Sequence, residues 1–259
     1  GDIRMPFTLT KASVAKSFVG LVAASALVGG CAYNEALGRN QFLLVDNAAL
    51  AQASDQAWAD ALRTQQVSRD AAANARIRRV GDRLVQAAGL TNIRWDYAVF
   101  VDQSPNAFVL PSGKIGVTTG LLALVQNDDQ LAAVIGHEIG HVVAQHAAER
   151  YSSTAVTSIG LQAIQGASGD YGQAVGALGG LGAQLGVLLP FSRQHELEAD
   201  QLGVDYMVRA GYRASQSIAL WRLMAAQRQS QTPEFASTHP SDASRIAALE
   251  QYIQSRGYN

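Results

Sequence analysis

The sequence predicts one α+β domain, mostly helical, with a small sheet set beside a central helix. Three observations carry that expectation. Apolar side chains recur at helical spacing between Ala48 and Ala88 and again from Leu131 to Val143. Two short runs rich in strand formers, Trp95 to Val101 and Phe108 to Thr118, are bracketed by turn residues. The chain has 259 residues, and the part after residue 30 is long enough to bury one full core.

In chain order, Lys11 and Lys16 precede an apolar run from Phe18 to Val28 that ends in Leu27-Val28-Gly29-Gly30-Cys31. The run is too short to span a bilayer as an ordinary helix. It is similar to a bacterial lipoprotein signal, which implies cleavage before Cys31 and a lipid on that cysteine. Cys31 is the only cysteine, so it has no disulfide partner within the chain. Gly1 to Arg4, ahead of Met5, read as an extension. Ala32 is not the aspartate associated with inner-membrane retention, so the resemblance favours the periplasmic face of the outer membrane. The expected organisation is a signal at 1–30, a lipidated Cys31 and tether at 31–46, and one domain at 47–259.

Loss of residues 1–30 removes three basic side chains, Arg4, Lys11 and Lys16, and one acidic one, Asp2, leaving 17 basic against 20 acidic. The remaining lysine is Lys114, and no basic patch stands out, so the charge argues against a nucleic-acid partner. Ala48 to Ala88 reads as two amphipathic helices with a boundary near Val67-Ser68. The two strand runs are separated by Ser104-Pro105-Asn106, and a second turn falls at Pro111-Ser112-Gly113. A further helix follows, capped by Asn127 or Asp128, with Leu131, Val134, Ile135, Val142 and Val143 as its apolar body.

That helix carries His137-Glu138-Ile139-Gly140-His141. At about 100° per residue the two histidines share one face, one turn apart, so both rings can reach one tetrahedral metal ion. Glu138 follows the first histidine and can take a proton from a water activated by such an ion, as a general base does. The third ligand is not given by this motif. The positions where a longer histidine motif would continue hold Ala144 and Ala147, and His146, nine residues past His137, is expected to face away as a surface or packing residue. Ser192-Arg193-Gln194-His195-Glu196-Leu197-Glu198-Ala199-Asp200 is the next dense run of ionisable residues and reads as a helix start. Glu196 and Asp200 share a face there, which ranks Glu196 above Glu198 and His195 as third ligand. Asp200 can accept the outer N–H of a ligating histidine.

Four separated segments resemble the zinc metallopeptidase family that contains the HtpX heat-shock protease and the CAAX prenyl proteases. They are His137 to His141, Ser192 to Asp200, Asn106 to Leu122 with Asn-Ala-Phe at its start and Thr-Thr-Gly-Leu-Leu at its end, and Thr238-His239-Pro240 followed by Arg245-Ile246. The resemblance covers roughly residues 45–255 and implies a zincin-like α+β fold. It further implies one zinc ion per chain on His137, His141 and Glu196, with Asp200 behind them. It puts Asn106, Ala107 and Phe108 along a sheet edge to which an extended substrate adds as a strand. Its substrates would be misfolded or misassembled envelope polypeptides, and a chaperone that keeps zinc but rarely cleaves is the other class it allows. His239, in a turn before Pro240, either assists at the oxyanion or occupies the open metal position. Arg193 is a candidate for orienting a carboxylate or stabilising charge. Ser152 to Ser192 holds one charged residue, Asp170, and reads as a helical hairpin that acts as a lid, a membrane contact or core.

Overall fold

The computed structural model describes residues 30–164, 191–227, 235, 239 and 243–259. Two strands open it, β1 (Cys31–Asn34) and β2 (Arg39–Phe42), paired antiparallel as a hairpin. The helices expected between Ala48 and Ala88 are α1 (Asn47–Thr64) and α2 (Ala71–Ala87), with Asp46 and Asp70 as their N-caps. Then come β3 (Asp96–Phe100), β4 (Ala107–Leu110), β5 (Lys114–Thr118), α3 (Thr119–Leu124) and α4 (Asp128–Val143). After α4 follow α5 (His146–Ile164), α6 (Arg193–Arg209), α7 (Ser215–Gln227) and α8 (Ala243–Ser255). Among the described residues no helix is long and apolar enough to cross a membrane. The hairpin expected over 152–192 lies outside the described residues from 165 to 190.

The small sheet has β5 in the middle, with β3 parallel on one side and β4 antiparallel on the other, so β4 is an edge. The tight turn from β4 to β5 depends on Gly113, whose φ of 86° lies in the left-handed region that other residues avoid. Its N–H closes the turn on the Leu110 carbonyl at 2.9 Å. Under the sheet, Trp58 meets Phe100 and Phe108 edge-on, a small apolar cluster that fixes α1 against the strands.

The main core forms around α4, which is buried continuously from Gln130 to Val142. Asn127 caps it, accepting from the Gln130 N–H at 2.9 Å. Leu131, Val134, Ile135 and Ile139 are fully enclosed, with α2, β4, α6 and α7 around them. A helix apolar on all sides must be a central one. Two histidines and a glutamate therefore sit inside a hydrophobic body, where each needs a partner.

The stretch read as a tether, residues 31–46, packs in part against the domain. Hairpin β1–β2 docks on the C-terminal end of α4 through Asn34 and Gln41, and Arg39 reaches Glu149 on α5 and Glu198 on α6. Its polar, non-alternating sequence reads as a linker because its partners lie more than a hundred residues away.

Candidate metal centre

His137 and His141 project from the buried middle of α4, and Glu196 meets them from the first turn of α6. Ser192 caps α6 by accepting from the His195 N–H at 3.1 Å, which sets the start of that turn and the direction of Glu196. The two helices approach closely because small residues line their seam. A Cβ on Gly140 would lie 2.8 Å from the Ala199 carbonyl oxygen, and one on Gly203 would lie 2.8 Å from the His137 backbone nitrogen. Any side chain there would force the helices apart and separate the ligands.

The two Nε2 atoms of His137 and His141 are 3.1 Å apart. Glu196 presents one oxygen 3.4 Å from His137 Nε2 and the other 3.3 Å from His141 Nε2. His239 joins them, its Nδ1 3.0 Å from Glu196 Oε1 and 3.2 Å from His137 Nε2. All four side chains are buried, and one ligand atom from each lies within 4.8 Å of the others. Glu138 stands beside the group, 3.2 Å from His239 Nε2.

The proton arrangement favours a cation at this centre. His137 Nδ1 lies 2.9 Å from Asp200 Oδ1, a carboxylate oxygen that can only accept, so the ring proton belongs on Nδ1. His141 Nδ1 faces His146 Nδ1 at 2.8 Å, and a proton on the His141 side satisfies that contact. Both Nε2 lone pairs then converge on one point with no N–H between them. A divalent cation resolves this, and the donor set of two imidazoles and a carboxylate suits zinc. Without an ion a proton supplies part of that charge: burial opposes charge on His137, but Glu196 and Asp200 outweigh it and raise its pKa to about 9. Burial also resists the charge on Glu196, yet His239 and His137 hold it well below the usual range. For Glu138 burial prevails and raises the pKa, which suits a group that must both accept and return a proton.

Asp200 is held in turn by Arg245, whose Nε and Nη2 grip its two oxygens at 2.6 and 2.8 Å. Arg245 Nη1 also lies 2.7 Å from Glu196 Oε2. Burial would weaken that guanidinium, but Asp200 and Glu196 outweigh it and raise its pKa. Arg193, the expected arginine, is exposed instead and donates to Ser244. It is the first residue of α6 and leaves the helix over the start of α8, whereas Arg245, on α8 itself, is directed inward. Only Arg245's place beside Thr238-His239-Pro240 hinted at its importance in the sequence.

His146 does not face away. The expectation assumed a continuous helix, but α4 ends at Val143, Gln145 takes a φ of 53°, and the chain turns back so that His146 opens α5 beneath His141. His146 is fully buried, and burial depresses its pKa to about 4 despite the nearby Glu198. Ala107 and Phe108 lie in the edge strand β4, and Asn106 immediately precedes it. A cleft runs from the centre along β4, lined by Asn106, Ala107, Phe108, Glu138, His141 and His239.

Two histidines a turn apart on a buried helix, a glutamate from a later helix, a second glutamate beside the first histidine and an edge strand along the cleft define a metallopeptidase of the His-Glu-x-x-His class. The sequence pattern of Peptidase family M48 matches residues 71–253, and the chain belongs to that family. It is 38% identical over 179 residues to the mitochondrial metalloendopeptidase OMA1 of Schizosaccharomyces pombe, covering 68% of this chain and 52% of that protein. The human metalloendopeptidase OMA1, mitochondrial, is 30% identical over 234 residues, 84% of this chain and 43% of that one. The beta-barrel assembly-enhancing protease of Escherichia coli K12 is 31% identical over 180 residues, 66% and 37% respectively. The chain thus spans about half or less of the length of these curated relatives.

Proposed function

We propose that this chain is a zinc metalloendopeptidase that cleaves unfolded or misassembled polypeptides. The observation that carries the proposal is the convergence of His137 Nε2, His141 Nε2 and Glu196 at the head of a cleft whose other wall is the free edge of β4. His137, His141 and Glu196 hold the zinc, one ion per chain, which when bound polarises a peptide carbonyl and makes water acidic enough to ionise near neutral pH. The substrate adds to β4 as one more strand, aligned by the backbone of Asn106, Ala107 and Phe108, which binds main chain with little demand on side chains. Glu138 takes a proton from the attacking water as the new C–O bond forms. It returns that proton to the amine nitrogen as the C–N bond breaks.

His239 sits where a fourth ligand would, within reach of Glu196, His137 and Glu138 together. We read this as a resting state in which His239 closes the open metal position. His239→Ala should therefore raise turnover of an unfolded substrate; a fall in turnover would instead assign it to the oxyanion.

The lipid anchor at Cys31 and an outer-membrane, periplasmic location remain part of the proposal. The signal-like run before Cys31 supports them, as does the likeness to a beta-barrel assembly-enhancing protease. Cleavage of unfolded casein by the purified chain, with zinc determined, is the direct test. Glu138→Gln should keep the zinc and lose about 10²- to 10⁴-fold in rate. Zinc without cleavage in either form would favour a chaperone.

A further inference from the structure

The family match begins at residue 71, yet the hairpin at residues 31–42 is tied into the metal centre. Its two polar side chains first close the end of the metal helix. Gln41 donates to the Ala144 carbonyl at 2.7 Å, and Asn34 donates to the Val143 carbonyl at 3.3 Å and to Gln41 Oε1 at 2.9 Å. Asn47, just past the hairpin, donates to the Val142 carbonyl at 2.9 Å. A helix end leaves its last carbonyls short of partners, and here the hairpin pairs those of Val143 and Ala144 while Asn47, the first residue of α1, adds a second bond to that of Val142. That stops α4 where it does and lets Gln145 turn the chain so that His146 returns to His141.

The second link runs through side chains. His141 bound to an ion through Nε2 keeps its proton on Nδ1 and donates it to His146 Nδ1, 2.8 Å away. His146 must then carry its own proton on Nε2, which points at Glu198 Oε2 at 2.9 Å. Glu198 is gripped by Arg39 through Nε at 2.6 Å and Nη2 at 2.8 Å. The remaining face of the Arg39 guanidinium holds both oxygens of Glu149, at 2.8 and 2.9 Å. One proton assignment satisfies every contact in the series. It also leaves His141 Nε2 free for the metal.

We propose that the hairpin is a clamp on the metal centre, in which Arg39, acting through Glu198 and His146, fixes the tautomer and ring orientation of His141. His146, Glu198 and Arg39 are positioning residues in this scheme, the counterpart of Asp200 and Arg245 behind His137. Outer partners of this kind raise the basicity of the ligand and its readiness to bind. The inference rests on the zinc reading above and adds to it a part of the chain outside the family match.

The test is metal affinity, read by competition with a chromogenic chelator, in the purified full chain. Wild type is compared with Arg39→Ala, Arg39→Lys, Glu198→Gln and His146→Ala, with exposed Arg63→Ala as control. Arg39→Ala and His146→Ala should weaken zinc binding about 10- to 100-fold. Arg39→Lys should recover part of the loss, since an ammonium keeps the charge but not the fork. The visible absorption of the cobalt-substituted protein should shift in Arg39→Ala, which a purely structural role far from the ion would not cause. Should His146→Ala lose helical circular dichroism, the isosteric Glu198→Gln and the surface residue Arg39 decide the matter. Affinities within twofold of wild type and an unchanged cobalt band in these two variants would overturn the clamp while leaving the zinc site standing. A wild-type chain that takes up neither metal would instead remove the zinc reading itself.

Discussion

Two histidine clusters lie back to back in this protein, joined by the contact between His141 and His146, and they differ in what their nitrogens face. In the first, His137, His141, Glu196 and His239 are all buried and two imidazole nitrogens confront each other. In the second, His146, Glu149 and His195 also lie within metal-binding distance of one another, but the Nε2 of each histidine already faces a carboxylate, Glu198 for His146 and Glu149 for His195. Arg39 already bridges the two carboxylates there. Residue types and proximity are nearly the same in both. The first cluster turns two imidazole nitrogens and a carboxylate toward one point, a donor set that suits a cation, whereas in the second a guanidinium and two imidazole N–H groups already pair the carboxylates.

The strongest way to break this comparison is a pair of substitutions. His141→Ala should abolish stoichiometric zinc and peptidase activity, while His195→Ala, in the other cluster, should leave the zinc content of the purified chain unchanged. Metal analysis showing a second ion that disappears with His195 would invert the distinction drawn here.

A smaller effect is expected at the helix seam. Gly203→Ala puts a methyl group against the His137 backbone. Overpacking of this kind costs about 1–3 kcal/mol. The same displacement moves Glu196 away from the histidines, so chemical denaturation should show the lost stability and chelator competition a weaker zinc site. A variant with native stability but weakened zinc would place the seam's role in geometry alone.

The smallest effect concerns acid. Burial would raise the pKa of Glu149, but His195, Arg39 and Gln41 outweigh it and hold it well below the ordinary 4.5. The folded protein therefore binds fewer protons at this site than the unfolded chain does below that value. The stabilisation is complete above pH 4.5 and is lost as the pH falls beneath it. The difference in thermal midpoint between wild type and Glu149→Gln should accordingly be largest near neutrality and shrink toward about pH 3. A gap that is constant with pH would mean that Glu149 contributes packing and no charge.

Much of the first cluster was legible in the sequence, and almost none of the second. His137, Glu138 and His141 lie within one helical turn of each other, so their spacing alone dictates a shared face. Glu196 and Asp200 were legible as a same-face pair on one helix, and the structure brings them to His137 and His141. The edge strand was visible in part, because the turn signal at Pro111-Ser112-Gly113 falls inside the β-prone run from Phe108 to Thr118, which the structure divides there into β4 and β5. Arg39, Gln41 and Arg245 were not legible, since each acts on residues 45 or more positions away. His146 was misplaced for a related reason. Its direction depends on where α4 stops, and that is decided by carbonyl partners contributed from the other end of the described chain.

The sequence by itself determined the local geometry of this protein: which residues form helices, where the caps and turns fall, and which side chains share a helical face. Those follow from backbone sterics and from hydrogen bonds spanning a few residues. The tertiary structure alone decided which nitrogen faces which oxygen. It set Arg245 rather than Arg193 behind the carboxylates, turned His146 toward His141 and made the supposed tether part of the centre. Such choices depend on contacts between distant segments, whose free energy is fixed by burial and by the pairing of every enclosed polar group.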